Sequence, residues 1–483
     1  MKAASMSVLI ASALAAASAT AHGAPLGEND VAAITESVDR SAPRLTALAR
    51  DIWTYAEPGF QETRSAARIQ ADLKAAGFRI EAGVAKLPTA FIASAGTGGP
   101  VIALIAEYDA LPGLSQSAAA SRQAVPGQTA GHACGHNLVG TAAVGAAIAL
   151  KAWLAESGVP GTVRLYGTPA EEGGFAKVLL ARDGLFDDVD ATLNFHPSDQ
   201  NSAWQVELLS IVTGKFRFTG TPAHASAAPE RGRSALDGVE LLNVAANFMR
   251  EHLPQETRIH YVISDGGAQP SIVPATAEAF YYVRHPKPEV AREIWKRLEM
   301  AAAGAAMASE TSVSTELISG AYGTLPNITL GRIADMYLRK VGGFSYTPDE
   351  ASYAARLSDT LPSGARVGKG DPALIEPFVE GVKISASSDL GDVSWVSPTV
   401  QIGTATWVAG TPPHSWQAVT ASGSSIGMKG AIMAAKALAL TAADLFRNPA
   451  SLAAARAEFD RRRGAGFQYR ALIDDQTSEA APR

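Results

Sequence analysis

Residues 101–106 read VIALIA, six apolar positions in a row, and the run breaks at once into Glu107, Asp109 and Pro112. An uninterrupted apolar run of this length is the pattern of a strand buried on both faces of a parallel sheet. The same grammar recurs twice. Residues 162–174, TVRLYGTPAEEGG, are β-rich until Pro169 and carry Glu171 and Glu172 soon after it, and residues 191–197, ATLNFHP, end on His196 and Pro197. Open α/β sheets place their sites outside the carboxyl ends of strands, so three separate segments are expected to deliver acids and an imidazole to one crevice.

Amphipathic segments alternate with these strands. Residues 64–76 carry Ala66, Ile69, Leu73 and Ala76 at helical spacing and stop at Gly77, a C-terminal cap signal. From residue 138 the segment LVGTAAVGAAIALKAWLA, with Asn137 before it as a candidate N-cap, is rich in small apolar residues suited to close packing under a sheet. After about Leu208 the order becomes strand (208–219), helix (233–252), strands (257–264 and 276–284), helix (288–309) and strand (312–319). This β-α-β-β-α-β order is a split ferredoxin-like unit, complete in itself, so it reads as an insertion with the first sheet resuming near Tyr322. The expected fold is α/β, a mostly parallel sheet with helices on both faces, built in two parts (28–205 and 322–465) around the inserted unit (206–321) and ending in a polar tail (466–483).

Length and charge narrow the classes of function. A chain of 483 residues exceeds the roughly 250 to 300 at which single cores stop growing, in keeping with two domains. The net charge is −6 with both signs dispersed, and no Lys/Arg block tracks a phosphate backbone, which argues against nucleic acid as a partner. Residues 1–21 combine Lys2, an apolar Ala/Leu/Val run and a small-residue Ala19-Thr20-Ala21 end, the build of a secretory signal peptide. The apolar run is shorter than the ~20 residues a membrane span needs. A periplasmic or secreted protein, starting near His22 and without stable membrane insertion, is therefore expected.

That compartment sharpens the question of Cys134, the single cysteine of the chain, which sits in GHACGHN at 131–137. It has no partner for an internal disulfide, so it is buried, metal-bound or reactive. Thiolate, imidazole and carboxylate together form the ligand set of zinc or a neighbouring first-row metal, and Cys134, His136, Glu171, Glu172 and His196 supply all three. Adjacent glutamates at a strand end point apart, so one can bind metal while the other takes a proton from water; the bland reading is a helix N-terminus that favours acids. Cys134 as a nucleophile activated by a nearby histidine is the competing chemistry. GSSIG at 423–427 matches the G-x-S-x-G elbow, but no histidine follows His414 to complete a triad around Ser425, so it reads as a turn before a helix. His132 lies four residues before His136 in a loop and is not counted as a ligand.

The stretches AEYDALPG, GHACGHN, TPAEEGG, NFHP, GTPAHAS, GRSALDGVELLNVAANFMREHLP, SSDLGDVSWVSPT and TPPHSWQ, between about Trp53 and Phe446, together resemble the aminoacylase and carboxypeptidase superfamily of cocatalytic metallohydrolases. Within it they are most similar to the amidohydrolase subgroup of hippurate, auxin-conjugate and p-aminobenzoyl-glutamate hydrolases, and to the last of these above all. The resemblance implies a phosphorylase/hydrolase-like catalytic domain and a ferredoxin-like unit serving as dimerisation or lid domain. It further implies that Cys134, His136, Glu172, His196 and His414 hold two divalent ions, Zn²⁺ or Mn²⁺, that Glu171 is the general base, and that Asp109 orients a ligand. His224 matches a histidine contributed across a dimer to the partner's site. The implied substrate is a small N-acyl or N-aroyl amino acid, and the implied assembly a homodimer or higher homo-oligomer with a possible related second subunit. Two departures stand out: Ser271 occupies a place where relatives commonly carry a substrate-contacting Asn, and the closest relatives are usually cytoplasmic. A dipeptidase or carboxypeptidase acting on true peptides, or a secreted binding protein of the same fold, are the alternatives.

Overall fold

The structure, a computed structural model, describes residues 25–362 and 370–473. The expected signal peptide and the last residues of the expected tail lie outside the described residues. The chain builds β1 (Arg79–Ala82), β2 (Phe91–Thr97), β3 (Val101–Ala106), β4 (Gly161–Gly167) and β5 (Ala191–Ser198). It then leaves for β6 (Ser210–Thr219), β7 (Arg258–Asp265), β8 (Thr276–His285) and β9 (Ser312–Ala321), and returns for β10 (Thr399–Ala405). Helices α1 (Glu28–Tyr55), α2 (Thr63–Ala75) and α3 (His136–Ser157) precede β4, and α4 (Ala176–Arg182) follows it. Helices α5 (Ala235–Met249) and α6 (Pro288–Ala308) belong with β6 to β9, while α7 (Leu390–Val396) and α8 (Ser425–Arg447) flank β10.

The first sheet has the order β1-β2-β4-β3-β5-β10. Strands β4, β3, β5 and β10 run parallel, and β2, antiparallel to both its neighbours, closes one edge with β1. The apolar run in β3 has its reason in the alternation of a strand: Ile102, Leu104 and Ala106 join a core with α1, α3 and α8, while Ala103 and Ile105 pack with Ala176 and Leu180 of α4 and Leu390 and Val393 of α7. Helices thus cover both faces. Helix α3 is buried along nearly its whole length, and its glycines let it approach closely, since a Cβ on Gly140 would lie 2.8 Å from the backbone oxygen of Glu107. Both α3 and α8 are long and apolar enough to cross a membrane, but their apolar stretches are 78% and 83% buried inside the fold, which makes them core helices.

The second sheet, β7-β8-β6-β9, is wholly antiparallel. Helices α5 and α6 cover one face, packing Val239, Leu242, Ile294 and Leu298 against Phe216, Phe218 and Tyr281. Element order and bounds follow the sequence expectation closely. Two details differ. Asn137 is not an N-cap: α3 starts one residue earlier, after Gly135, and the Asn137 amide donates to the carbonyls of Ala49 and Ser422, tying α3 to α1 and to the helix Trp416–Ser422. The segment from 466, expected as a polar tail, begins as a docking segment. Phe467, Tyr469 and Leu472 pack with Tyr322 and Trp395 against the second core, and Tyr469 donates to Asp392 at 2.6 Å.

Candidate metal centre

Three strand ends and two loops build the site. Beyond β3 come Glu107 and Asp109, beyond β4 the turn with Glu171 and Glu172, and near the end of β5 His196. The loop 132–135 brings Cys134 beside them because Gly135, at φ 76, lets the chain turn sharply into α3. A side chain there would meet Pro197 Cγ at 2.8 Å and Ser422 Oγ at 3.0 Å, so only glycine fits. His414, itself in the left-handed region at φ 56, is tied to this loop by its backbone N–H, which donates to Ala133 O at 3.1 Å.

The side chains then converge. Cys134 Sγ lies 3.3 Å from His196 Nε2, and His414 Nε2 lies 3.4 Å from Glu172 Oε2. His136 presents Nδ1 to Asp109 Oδ1 at 2.8 Å and leaves Nε2 facing Glu107 Oε2 at 3.5 Å and Glu171 Oε2 at 3.9 Å. The second Asp109 oxygen accepts the backbone N–H of Glu172 at 2.9 Å, so one buried carboxylate fixes both an imidazole and the glutamate turn. Potential donor atoms form three overlapping groups, each within 4.8 Å: Cys134 with His136 and His196, Cys134 with Glu172 and His414, and His136 with Glu171 and Glu172.

These groups repel one another as they stand. Burial pushes the Cys134 thiol far up, and Glu172 adds to the effect. Burial likewise raises Glu172 to about 8, with Glu171 and Asp109 acting in the same direction. Glu171 is raised by burial and by Glu107. Burial opposes a charge on His136 too, but Asp109 and Cys134 outweigh it and hold the imidazole well above its usual range. Glu107 Oε2, His136 Nε2 and Glu172 Oε1 are buried without a hydrogen-bond partner among the described residues. Buried acceptors left facing one another with a thiol and imidazoles between them fit a divalent cation, which would satisfy the free lone pairs and draw off the thiol proton.

The remaining expectations separate. Asp109 sits against His136 as described, and His132 does not join the cluster: its Nε2 meets Ile52 O at 3.0 Å, and burial, with the His136 charge, lowers it to about 4. It is a neutral core residue. His224 is exposed on the second unit, where its Nδ1 accepts from the backbone of Ser226 and Ala227, and it bridges to Ile272, next to Ser271. No hydrogen bond or ion pair joins it to the cluster among the described residues. Ser425 opens α8 behind the N-cap Ser424, a turn into a helix as read from GSSIG. Sequence reading passed over Lys177 and Asp389, which are fully buried beside Glu107. A Lys three residues past GG in an otherwise apolar helix was the available signal.

The model of peptidase family M20/M25/M40 matches residues 103–369. The chain is 39% identical to one of the two kinds of p-aminobenzoyl-glutamate hydrolase polypeptide of Escherichia coli (strain K12), over 86% of its own length and 91% of that protein. It is 31% identical to the Xaa-Arg dipeptidase of Mus musculus, over 88% of this chain and 90% of the relative. Among solved structures, the Bacillus subtilis YXEP protein, described as a dinuclear metal binding peptidase, shares the fold with a TM-score of 0.50 and 19% identity, over 82% of this chain and 98% of that one.

Proposed function

This chain belongs to peptidase family M20/M25/M40, metal-dependent hydrolases of amide bonds, and from that premise we propose that it hydrolyses N-acyl or N-aroyl amino acids of the aminobenzoyl-glutamate kind. Cys134, His136, Glu172, His196 and His414 would hold two divalent ions, Zn²⁺ or Mn²⁺. When bound, such ions lower the pKa of water and polarise the scissile carbonyl. Glu171, beside Glu172 in the same turn, takes the proton of the attacking water and passes it to the leaving amine nitrogen. Asp109 keeps His136 in the tautomer whose Nε2 is free and holds the turn through the Glu172 N–H. The reading places the work in the periplasm or outside the cell, after removal of residues 1–21.

His224, exposed and apart from its own chain's cluster, serves the scissile carbonyl in the site of a second copy. The observation that carries the reading is the convergence of thiol, imidazole and carboxylate donors within 4.8 Å at the strand ends. Its test is a substrate panel on chelated and reloaded protein. Aminobenzoyl-glutamate and benzoyl-glycine should be cleaved only after Zn²⁺ or Mn²⁺ is restored. Preference for Xaa-Arg dipeptides would transfer the assignment to the dipeptidase reading suggested by the second relative, and metal binding without any cleavage would favour a binding protein.

A further inference from the structure

Beside the cluster lies a second set of buried charges that the proposed chemistry does not use. Lys177, on α4, has no exposed surface. Its Nζ is 2.8 Å from Glu107 Oε1 and 2.6 Å from Asp389 Oδ1, and its backbone N–H donates to Asp389 Oδ2 at 3.0 Å. A buried ammonium persists only where carboxylates compensate it, and Asp389 alone would neutralise this one. Glu107 therefore leaves the triad with one negative charge in excess, in a crevice already rich in acids.

Glu107 gives only one oxygen to Lys177. The other, Oε2, is buried without a partner, 3.5 Å from His136 Nε2, which also lacks one. With His136 Nδ1 tied to Asp109, a neutral imidazole turns an acceptor toward an acceptor. That spacing matches two donors of one cation, since about 3.4 Å separates the ligands of a tetrahedral ion with ~2.1 Å bonds.

We propose that Glu107 is a further carboxylate donor at the metal centre, and that Lys177, clamped by Asp389, is the positioning residue that holds it there. The inference rests on the metal-dependent reading of the same site. It extends the five expected ligands by a group at the end of β3 and explains why a lysine is buried within α4. Neutralising Lys177 would not by itself require a second carboxylate with a free oxygen aimed at His136.

The test is metal binding by the full chain, measured for Zn²⁺ and Mn²⁺ against a chromogenic chelator, alongside the melting temperature of metal-stripped protein and the visible spectrum of the Co²⁺-loaded form. Glu107→Gln keeps the volume and an oxygen for Lys177. It should weaken one of the two ions about 10- to 100-fold and change the Co²⁺ spectrum, with the stripped protein melting near wild type. Lys177→Met should weaken the same ion, but it leaves two buried carboxylates facing each other and can unfold the chain, so Glu107→Gln carries the decision. Wild-type affinity and an unchanged spectrum in Glu107→Gln would overturn the assignment while leaving a two-ion wild type intact. Failure of the wild type to take up any divalent ion would overturn the metal-dependent reading and this assignment with it.

Discussion

A thiol among carboxylates ionises only if positive charge is brought to it, and Cys134 is such a thiol. Its neighbours within reach are His196 and Glu172, and burial acts against the thiolate, so the geometry disfavours a free nucleophile and suits a ligand. Glu171 and Glu172 are adjacent, yet the turn gives them different tasks, which mutation should separate. Glu171→Gln is expected to lower kcat/KM by about 10²- to 10⁴-fold, the range of a general base, with metal content unchanged by elemental analysis. Glu172→Gln should lose metal as well as activity. Equal metal loss in both variants would remove Glu171 from the role of base. Gly135→Ala forces a side chain into the left-handed region and against Pro197, which should destabilise the fold by roughly 1–3 kcal/mol in urea titration.

At the scale of elements, most of the catalytic sheet was legible because its strands carry complete signals: an apolar run, a breaker and an acid or histidine. The inserted unit was legible through alternating helix and strand periods, and its element order matches. What stayed hidden depends on contacts between distant segments. Lys177 reads as an ordinary helical lysine until Glu107 and Asp389 are brought to it, and the tail reads as polar until Tyr469 reaches Asp392. That last contact makes α7 a junction, because Asp392 also accepts the backbone N–H of Tyr322, where the chain returns from the second unit. Burial raises the Asp392 carboxyl from 3.8 to about 7, against opposing hydrogen bonds from Tyr469 and Tyr322. A raised acid is protonated in the folded state where the unfolded chain has already ionised. Its contribution to stability is therefore present below about pH 4 and lost as pH rises toward 7, by up to roughly 4 kcal/mol. Urea titrations between pH 4 and 8 should show this slope in the wild type and a flatter one in Asp392→Asn. On the same junction, Leu472→Ala should cost about 2 kcal/mol or more, since Leu472 is buried in the second core.

At the scale of the whole molecule, the second unit leaves an apolar face uncovered. Leu241, Val244 and Phe248 recur on one side of α5 and are 41%, 48% and 74% exposed, and Val262 and Ile263 on β7 are 59% and 44% exposed. Strand β7 is also a sheet edge, with backbone groups free to pair. A patch of this kind calls for a partner, and a second copy meeting it across a two-fold axis would present the same patch in return. Phe248→Glu with Val262→Asp should therefore halve the mass seen by sedimentation. If His224 acts across that interface, the same pair should lower activity while leaving metal content intact. Mixing gives the sharper outcome. His224→Ala and Glu171→Gln are each expected to be nearly inactive alone, but a heterodimer of the two holds one site with an intact Glu171 served by an intact His224 from the other chain. Co-refolded mixtures should recover part of the activity if His224 acts in trans. If it serves its own chain, no site in the mixture has both residues, and activity stays at the level of the separate variants.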